Sequence, residues 1–367
     1  MTRFLIICTA LFVFVTGCQD DDGTPPVITD PGNTELYFPE TGSSDWETIS
    51  PSELGWDTSK IEALLSFLDQ GDTRAFMVLK NGKIVLEHYA GKDLLNLGDF
   101  GRESQWYWAS AGKTLTAFLV GQAQEDGYLD IMNPTSDYLG KWTELIETKE
   151  NKITVRHQLT MTSGLDDSGN SDCTDKNCLT YKEDAGQRWA YHNAPYTLLD
   201  SVIQHSTQQS FDNYFNKRLR DPIGMEGAWR YLNYNHVYFS NARSMARFGL
   251  LVLNKGKWKD TPILADKQFF DQMVSTSQGL NKSYGYLWWL NGKESHRLPG
   301  LQINFPGPIT KNAPNDMVAA MGKNGQLLNI VPSQNLVVLR LGDNPDISLV
   351  PTRFQNDLWE KLNDVIQ

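Results

Sequence analysis

The chain has 367 residues, of which 40% are hydrophobic and 11% aromatic, enough to build a sizeable core in one large domain or two intimate ones. Its formal net charge of -11 excludes the excess of lysine and arginine that binding to nucleic acid or to an anionic membrane surface requires. A globular protein that acts on small or neutral partners is therefore expected.

The first predicted element is an export signal at residues 1–17. Arg3 precedes an apolar run, residues 4–15, that is too short to span a bilayer. The sequence Val15-Thr16-Gly17-Cys18 resembles a bacterial lipobox, which predicts cleavage and a lipid on Cys18. An ordinary secretory signal with an incidental cysteine is the alternative. The aspartates after Cys18 resemble export tags of some Gram-negative bacteria, so a periplasmic or outer-membrane location, including the cell surface, is expected.

Residues 18–51 are predicted to form a flexible tether, because they are rich in Pro, Gly, Thr, Ser and acidic residues and have little apolar periodicity. The lipid would then be the only membrane contact of a folded domain at residues 52–367. In that domain, Asp57 can cap a helix that runs to about residue 70. Strand-like residues 75–79 and 83–89 follow, and Asn81-Gly82 between them predicts a β-hairpin.

Ser110 and Lys113 stand three residues apart at the start of an apolar, helix-like segment, so both lie on one helix face. A lysine amine in a partly dry pocket can lose its proton and activate a serine hydroxyl for nucleophilic attack. The pair is therefore a candidate for acyl transfer. Taken alone, the spacing also fits a helix-capping serine followed by a solvated lysine.

Residues 106–283 carry mostly helical patterns, with helices predicted at 115–126, 155–162, 196–206, 211–220 and 244–253. Cys173 and Cys178 lie in a polar segment of this region, and the export signal implies an oxidising compartment, so a disulfide is predicted between them. The six histidines of the chain are scattered without ligand spacing, so no metal site is predicted.

Tyr191-His192-Asn193 is a second candidate site. A neighbouring ammonium could lower the pKa of Tyr191 so that the phenolate accepts the serine proton, and the Asn193 amide could bind a substrate carbonyl. The Tyr-x-Asn pattern carries little weight alone, since the chain contains it at two further places, which start at Tyr214 and Tyr231.

The chain returns to strands at residues 284–290, 317–321, 326–331 and 336–341, and a helix is predicted at 350–366. Gly322 ends one of these strands, where a backbone N–H could face an oxyanion; a plain hairpin turn is the alternative. Strands at both ends predict an α+β fold with one antiparallel sheet, built from about residues 52–105 and 284–367. An all-helical lobe, about residues 106–283, would be inserted in it, with the active site in the cleft between sheet and lobe.

Several motifs in one order carry a family resemblance. They are Ser110-x-x-Lys113, the segment 153–165, Tyr191-x-Asn193, the segment 242–249 and the segment 284–289. Together they resemble the landmarks of class C β-lactamases and penicillin-binding-protein-like serine hydrolases, from about Glu53 to the C-terminus. The turn Gly322-x-x-Gly325-Gln326 more closely resembles the nylon-oligomer (aminohexanoate-dimer) hydrolase branch and its carboxylesterase relatives, which cleave esters and amides.

The resemblance implies a β-lactamase/transpeptidase-like fold and an acyl-enzyme mechanism without metal or organic cofactor. Ser110 would be the nucleophile, Lys113 its activating partner and Tyr191 the general base that also protonates the leaving group. Asn193 would position the substrate, a small or peptide-like ester or amide. The backbone N–H groups of Ser110 and of Lys323, next to Gly322, would form the oxyanion hole.

The chain departs from β-lactamases where they usually carry Lys-Thr-Gly or a His variant. It has Ala320-Met321-Gly322 there, with no cation and no hydroxyl for a β-lactam carboxylate. An ester or amide hydrolase is therefore the leading hypothesis. The alternatives are a cell-wall D,D-peptidase or D-amino-acid amidase, a β-lactamase, and, from another class, a penicillin-binding or sensor lipoprotein without turnover.

Overall fold

The computed structural model describes residues 35–346 and 348–366. The predicted export signal and the predicted lipidation site Cys18 lie outside the described residues. So does the first part of the predicted tether, residues 18–34.

Strands and helices alternate along the described residues. The strands are β1 Thr73–Lys80, β2 Lys83–Tyr89, β3 Trp106–Tyr107, β4 Ala228–Leu232, β5 Asn235–Ser240, β6 Lys257–Trp258, β7 Thr261–Pro262, β8 Trp289–Leu290, β9 Ser295–His296, β10 Phe305–Pro306, β11 Val318–Gly322, β12 Gln326–Val331 and β13 Leu336–Gly342. The α-helices are α1 Ile61–Gln70, α2 Lys113–Glu125, α3 Ser136–Leu139, α4 Glu147–Glu150, α5 Val155–Leu159, α6 Asn193–Thr197, α7 Leu199–Thr207, α8 Phe211–Phe215, α9 Ala242–Leu253, α10 Lys267–Met273 and α11 Thr352–Ile366. Short 3₁₀ turns include Ala109–Gly112 and Lys323–Gly325, and a π-helical turn, Asn216–Arg220, follows α8.

The main sheet is antiparallel and joins the two ends of the domain, as predicted. Its strand order is β2-β1-β13-β12-β11-β8, so the N-terminal hairpin pairs directly with the C-terminal strands. Every residue of β12 and of β13 is buried. Because successive side chains of a strand point to opposite faces, both faces of the sheet centre are covered. Helix α9 contacts β12 and β13, and α1 contacts α11.

The predicted β1–β2 hairpin is confirmed, and it explains why the tether prediction was too long. Asn81 and Gly82 both have positive φ, 51° and 82°, as a two-residue turn between twisted strands requires. A side chain on Gly82 would strike the carbonyl of Tyr37, and the Trp46 indole donates a hydrogen bond of 2.7 Å to the Gly82 carbonyl. Residues 35–51 therefore pack on the domain, where Phe38 and Trp46 supply the buried area.

The segment between the two halves of the sheet is not all-helical, which corrects the prediction. A three-stranded sheet of order β3-β5-β4 lies within it. Its pairing places Trp229 opposite Tyr238, and both rings pack on Phe215. These aromatic contacts come from distant parts of the chain and favour strands within the segment that was expected to be all-helical.

The strand predicted at residues 284–290 is also shorter than expected. It is reduced to β8, because Leu287 has a φ of 61°, which breaks the extended run. No helix in the part of the chain that the structure describes is long and apolar enough to cross a membrane.

Candidate active site

Ser110 lies on the 3₁₀ turn Ala109–Gly112, which connects β3 to α2. Trp108 anchors this turn: its backbone N–H donates to the Tyr238 carbonyl at 2.8 Å and its indole donates to the Ser240 hydroxyl at 2.8 Å. Ala109 has a φ of 47°, a conformation that residues other than glycine rarely adopt. Such local strain is typical of positions where a fold holds a functional side chain.

Lys113 is the first residue of α2, and its amine donates a hydrogen bond of 3.0 Å to the Ser110 hydroxyl. The spacing of three residues therefore brings the predicted pair into contact. Only 3% of Lys113 is exposed, and this burial lowers the pKa of its amine to about 7, against a weaker opposing effect of Asp172 and Asp200. A substantial fraction of the amine is therefore neutral at neutral pH, as a base requires.

Tyr191 faces the same pair, and the Lys113 amine lies 5.3 Å from the centre of its ring. The ring stacks on Trp289 at 5.8 Å. Burial raises the pKa of the Tyr191 phenol above its usual range, and the Ser110 side chain opposes this effect only in part. The expected lowering of the Tyr191 pKa is therefore wrong, because loss of solvent outweighs the hydrogen bond with Ser110. Tyr191 is a phenol at neutral pH.

Asn193 begins α6, and its amide points towards the loop that carries the predicted disulfide. Its Nδ2 donates to Asp172 Oδ1 at 2.7 Å, whereas its Oδ1 is buried and accepts no hydrogen bond from the described residues. Cys173, which follows Asp172 in the chain, is joined to Cys178 in a disulfide. One N–H of the Asn193 amide is thus engaged by Asp172, and the second N–H of the same amide remains for the substrate carbonyl expected at this position.

Gly322 ends β11 directly against the turn that carries Ser110. A Cβ on Gly322 would lie 2.5 Å from the Trp108 carbonyl oxygen, 2.9 Å from the Ala111 nitrogen and 3.1 Å from the Ser110 nitrogen. Only glycine permits this approach. Gly322 therefore does more than end a hairpin turn: it lets β11 pack against the turn that carries Ser110. Lys323 follows at the start of the 3₁₀ turn and lines the same cavity as Ser110.

The end of β11 is also an open strand edge. Strand β8 pairs only with Val318 and Ala319, so within the described residues no strand covers the outer side of Ala320, Met321 and Gly322. Met321 is buried and turned into the core. This edge therefore offers a substrate backbone groups and no side-chain cation at positions 320 and 321.

All candidate site residues except Gly322 line one cavity of about 440 Å³. They are Ser110, Lys113, Tyr191, Asn193 and Lys323. The structure adds lining residues that the sequence analysis missed: Asp167, Asp172, Tyr196, His236 and an apolar group of Leu232, Val237, Leu349 and Val350. Sequence motifs gave no signal for them, because they come from loops and strands that only the fold brings together. A larger groove of about 1090 Å³, near α10, contains none of the candidate residues.

Histidine, cysteine, aspartate and glutamate side chains are not gathered in groups of three or more that could hold a metal, as far as the described residues extend. The buried amine of Lys113 lies next to the hydroxyl that it can activate.

Comparison with known proteins points to one family. The sequence model of the β-lactamase family, described as "Beta-lactamase", matches residues 68–342. An uncharacterized protein of Alkalihalophilus pseudofirmus is 23% identical over 295 residues, which are 72% of this chain and 81% of that protein.

Two solved structures share the fold. A candidate β-lactamase from Bacteroides dorei superposes with a TM-score of 0.65 at 16% identity, over 85% of this chain and 99% of that one. A candidate 6-aminohexanoate-dimer hydrolase from Bacillus anthracis gives a TM-score of 0.63 at 19% identity, over 88% and 89% of the two chains.

Proposed function

The chain belongs to the β-lactamase family of serine hydrolases, and we propose that it cleaves an ester or amide bond through an acyl-enzyme on Ser110. One observation carries the proposal: the amine of buried Lys113 donates to the Ser110 hydroxyl at 3.0 Å, in the cavity that Tyr191 and Lys323 also line. The same fold and catalytic groups can serve several reactions. The substrate class therefore depends on the other residues of this cavity.

The acylation step follows from the protonation states. Ser110 Oγ attacks the carbonyl carbon while the neutral amine of Lys113 accepts the hydroxyl proton. The negative charge on the carbonyl oxygen is held by the backbone N–H groups of Ser110 and Lys323. As the carbon–leaving-group bond breaks, the Tyr191 phenol gives its proton to the leaving group and is reprotonated from Lys113. The leaving group thus departs with the Tyr191 proton, and the proton taken from Ser110 is passed on by Lys113 to replace it.

Deacylation reverses these roles with water as the nucleophile. Lys113, neutral again, accepts a proton from the water through Tyr191, and the water oxygen attacks the acyl carbon. Breaking the ester bond returns the proton to Ser110 Oγ and releases the acid.

The walls of the cavity favour an uncharged substrate with an apolar acyl or leaving group. The carboxylate of a β-lactam needs a cation or hydroxyl, and a charge-assisted hydrogen bond of this kind contributes about 1.5–3 kcal/mol. Positions 320 and 321 offer neither. The apolar group of Leu232, Val237, Leu349 and Val350 lies on the cavity wall instead, with Leu232 and Leu349 exposed at its mouth.

We also propose that the protein is an exported lipoprotein anchored through Cys18. The lipobox-like sequence before Cys18 supports this proposal, and so does the Cys173–Cys178 pair, since disulfides persist in oxidising compartments. Metabolic labelling with palmitate, lost in Cys18→Ser but not in Cys8→Ser, would test it. Equal labelling of both variants would exclude Cys18 as the lipid site.

The hydrolase proposal is tested with a panel of nitrophenyl esters, D-peptides, D-amino-acid amides and β-lactams on purified protein. We expect an uncharged ester to be cleaved with kcat/KM about a hundredfold above that of nitrocefin, the factor that some 2.7 kcal/mol represents. Ser110→Ala should abolish hydrolysis and labelling by a fluorophosphonate, whereas the exposed Ser168→Ala should retain both.

Each other outcome identifies an alternative. Equal efficiency on esters and β-lactams, both lost in Ser110→Ala, would establish a β-lactamase. Preference for the D-peptides or amides would establish the peptidase or amidase. A burst of one product per enzyme without further turnover would identify the sensor protein. Full activity in Ser110→Ala would refute the proposed nucleophile.

A further inference from the structure

A buried acid–base pair that the proposed chemistry does not use borders the active-site cavity. His236, on β5, is 8% exposed, and its Nδ1 lies 2.7 Å from Oδ2 of Asp200, on α7. Asp200 is 5% exposed, and its other oxygen, Oδ1, is buried with no hydrogen-bond partner among the described residues. A buried carboxylate held by one donor is costly, so its presence next to a reactive site indicates a role there.

The pair and Lys113 adjoin one cavity. The Lys113 amine lies 4.1 Å from the centre of the Tyr196 ring, and Lys113, Tyr196 and His236 all line this cavity. Burial lowers the pKa of Lys113, and the charges of Asp172 and, after it, of Asp200 oppose this effect. Burial raises the pKa of Asp200 itself, and both the His236 hydrogen bond and the charge of Lys113 oppose this.

We propose that Asp200 and His236 are positioning residues for Lys113: Asp200 holds one buried negative charge near the amine that activates Ser110, and His236 keeps the carboxylate ionised and in place. The inference rests on the proposed function, which gives Lys113 its role. The pair touches neither the nucleophile nor the carbonyl and acts only through the amine. Its purpose would be to set the pH above which Lys113 accepts the serine proton.

Other titratable groups face both ends of this arrangement. Lys113 is also faced by Tyr191 and by Asp172 from the disulfide loop. His236 Nε2 lies 3.9 Å from Asp212 Oδ1, and the Tyr231 ring stacks on the imidazole at 4.1 Å. The Asp212 side chain is 55% exposed, so water screens its charge, whereas that of Asp200 acts through the protein interior.

The sign of the expected effect follows from the charges. Asp200 favours the protonated amine, so removal of its charge in Asp200→Asn lowers the pKa of Lys113 and extends activity to lower pH. At an effective dielectric constant of about 20, loss of one nearby charge shifts the acid limb of the pH profile of kcat/KM by about one pH unit towards lower pH. His236→Leu removes the donor and lets Asp200 take up a proton, so it shifts the limb the same way. His236→Gln keeps a donor and leaves the limb in place.

Two readouts test the proposal on the whole chain. The first is the pH dependence of kcat/KM on an uncharged ester, and the second is competitive acetylation of Lys113 by acetic anhydride across the same pH range, read by mass spectrometry. The second does not depend on turnover. Asp212→Asn is the matched control, because it removes the same charge from the exposed neighbour of His236.

We expect both readouts to shift towards acid in Asp200→Asn and His236→Leu, and to stay in place in His236→Gln and Asp212→Asn. Wild-type titration in folded Asp200→Asn and His236→Leu, or an equal shift in Asp212→Asn, would overturn the proposal. If Asp200→Asn does not fold, the comparison of His236→Leu with His236→Gln decides. A shift in acetylation for a protein that hydrolyses none of the panel would refute the proposed function and still support the link between Asp200 and Lys113.

Discussion

Substitution of Gly322 by alanine tests whether the end of β11 helps to form the oxyanion hole. The backbone of Gly322, with φ -127° and ψ 155°, is extended and suits any residue, so alanine brings no conformational penalty. The substitution is disfavoured only by a steric clash, because the new Cβ would lie 2.5 Å from the Trp108 carbonyl oxygen. To reach ordinary contact at about 3.4 Å, the strand and the nucleophile turn must separate by about 1 Å.

That displacement moves the Lys323 N–H relative to Ser110, because Lys323 follows Gly322 directly. Loss of one oxyanion donor typically costs about 10²–10³ in kcat, and a misplacement of about 1 Å costs about 10². We therefore expect kcat to fall by about two orders of magnitude. Overpacking of this kind destabilises the fold by about 1–3 kcal/mol, which leaves the protein folded at room temperature.

Gly112→Ala is the matched control. Gly112 lies two residues after Ser110, on the turn that Gly322 contacts. Gly112 has φ -62° and ψ -18°, which alanine adopts freely, and its Cβ would meet the Trp229 ring no closer than 3.6 Å. We expect unchanged kcat and a small gain in stability. The assay is steady-state ester hydrolysis together with thermal unfolding of both variants. Wild-type kcat in folded Gly322→Ala would show that the oxyanion does not lie between Ser110 and Lys323.

Three further outcomes follow from the site. Because burial brings the pKa of Lys113 to about 7, kcat/KM should fall tenfold per pH unit below about pH 7; a limb near the usual lysine range, seen in the pH–rate profile, would contradict the role of the neutral amine. Lys113→Ala and Tyr191→Phe should each lose nearly as much activity as Ser110→Ala, and the triple variant little more, since the three groups act as a unit; additive losses in single-turnover assays would argue otherwise. Serine at both Cys173 and Cys178 should lower the free energy of unfolding by roughly 2 kcal/mol in urea titrations. Because the disulfide holds the loop beside the cavity, the double variant should also raise KM more than it lowers kcat. A lower kcat at constant KM would refute this role of the loop.

The sequence by itself determined the features that depend on neighbours along the chain. Asn81-Gly82 favours a turn whose φ angles few other residues adopt, so the hairpin was predictable without any tertiary contact. Ser110 and Lys113 meet because three residues on a helical path bring side chains to one face. The order of the motifs indicated the fold for the same reason: each motif is local, and together they identify a family whose topology is known.

Only the tertiary structure decided the features that depend on burial and on distant partners. The pKa of Tyr191 rises because the fold removes water from the phenol, which no local pattern records. Residues 35–51 pack on the domain although their composition is that of a linker, because the β1–β2 turn gives Trp46 a hydrogen-bond acceptor. Asp200 and His236 are 36 residues apart and belong to a helix and a strand, so nothing in the sequence connects them. Their meeting beside the cavity that Lys113 also lines follows from the packing of α7 and β5, which spacing and composition do not encode.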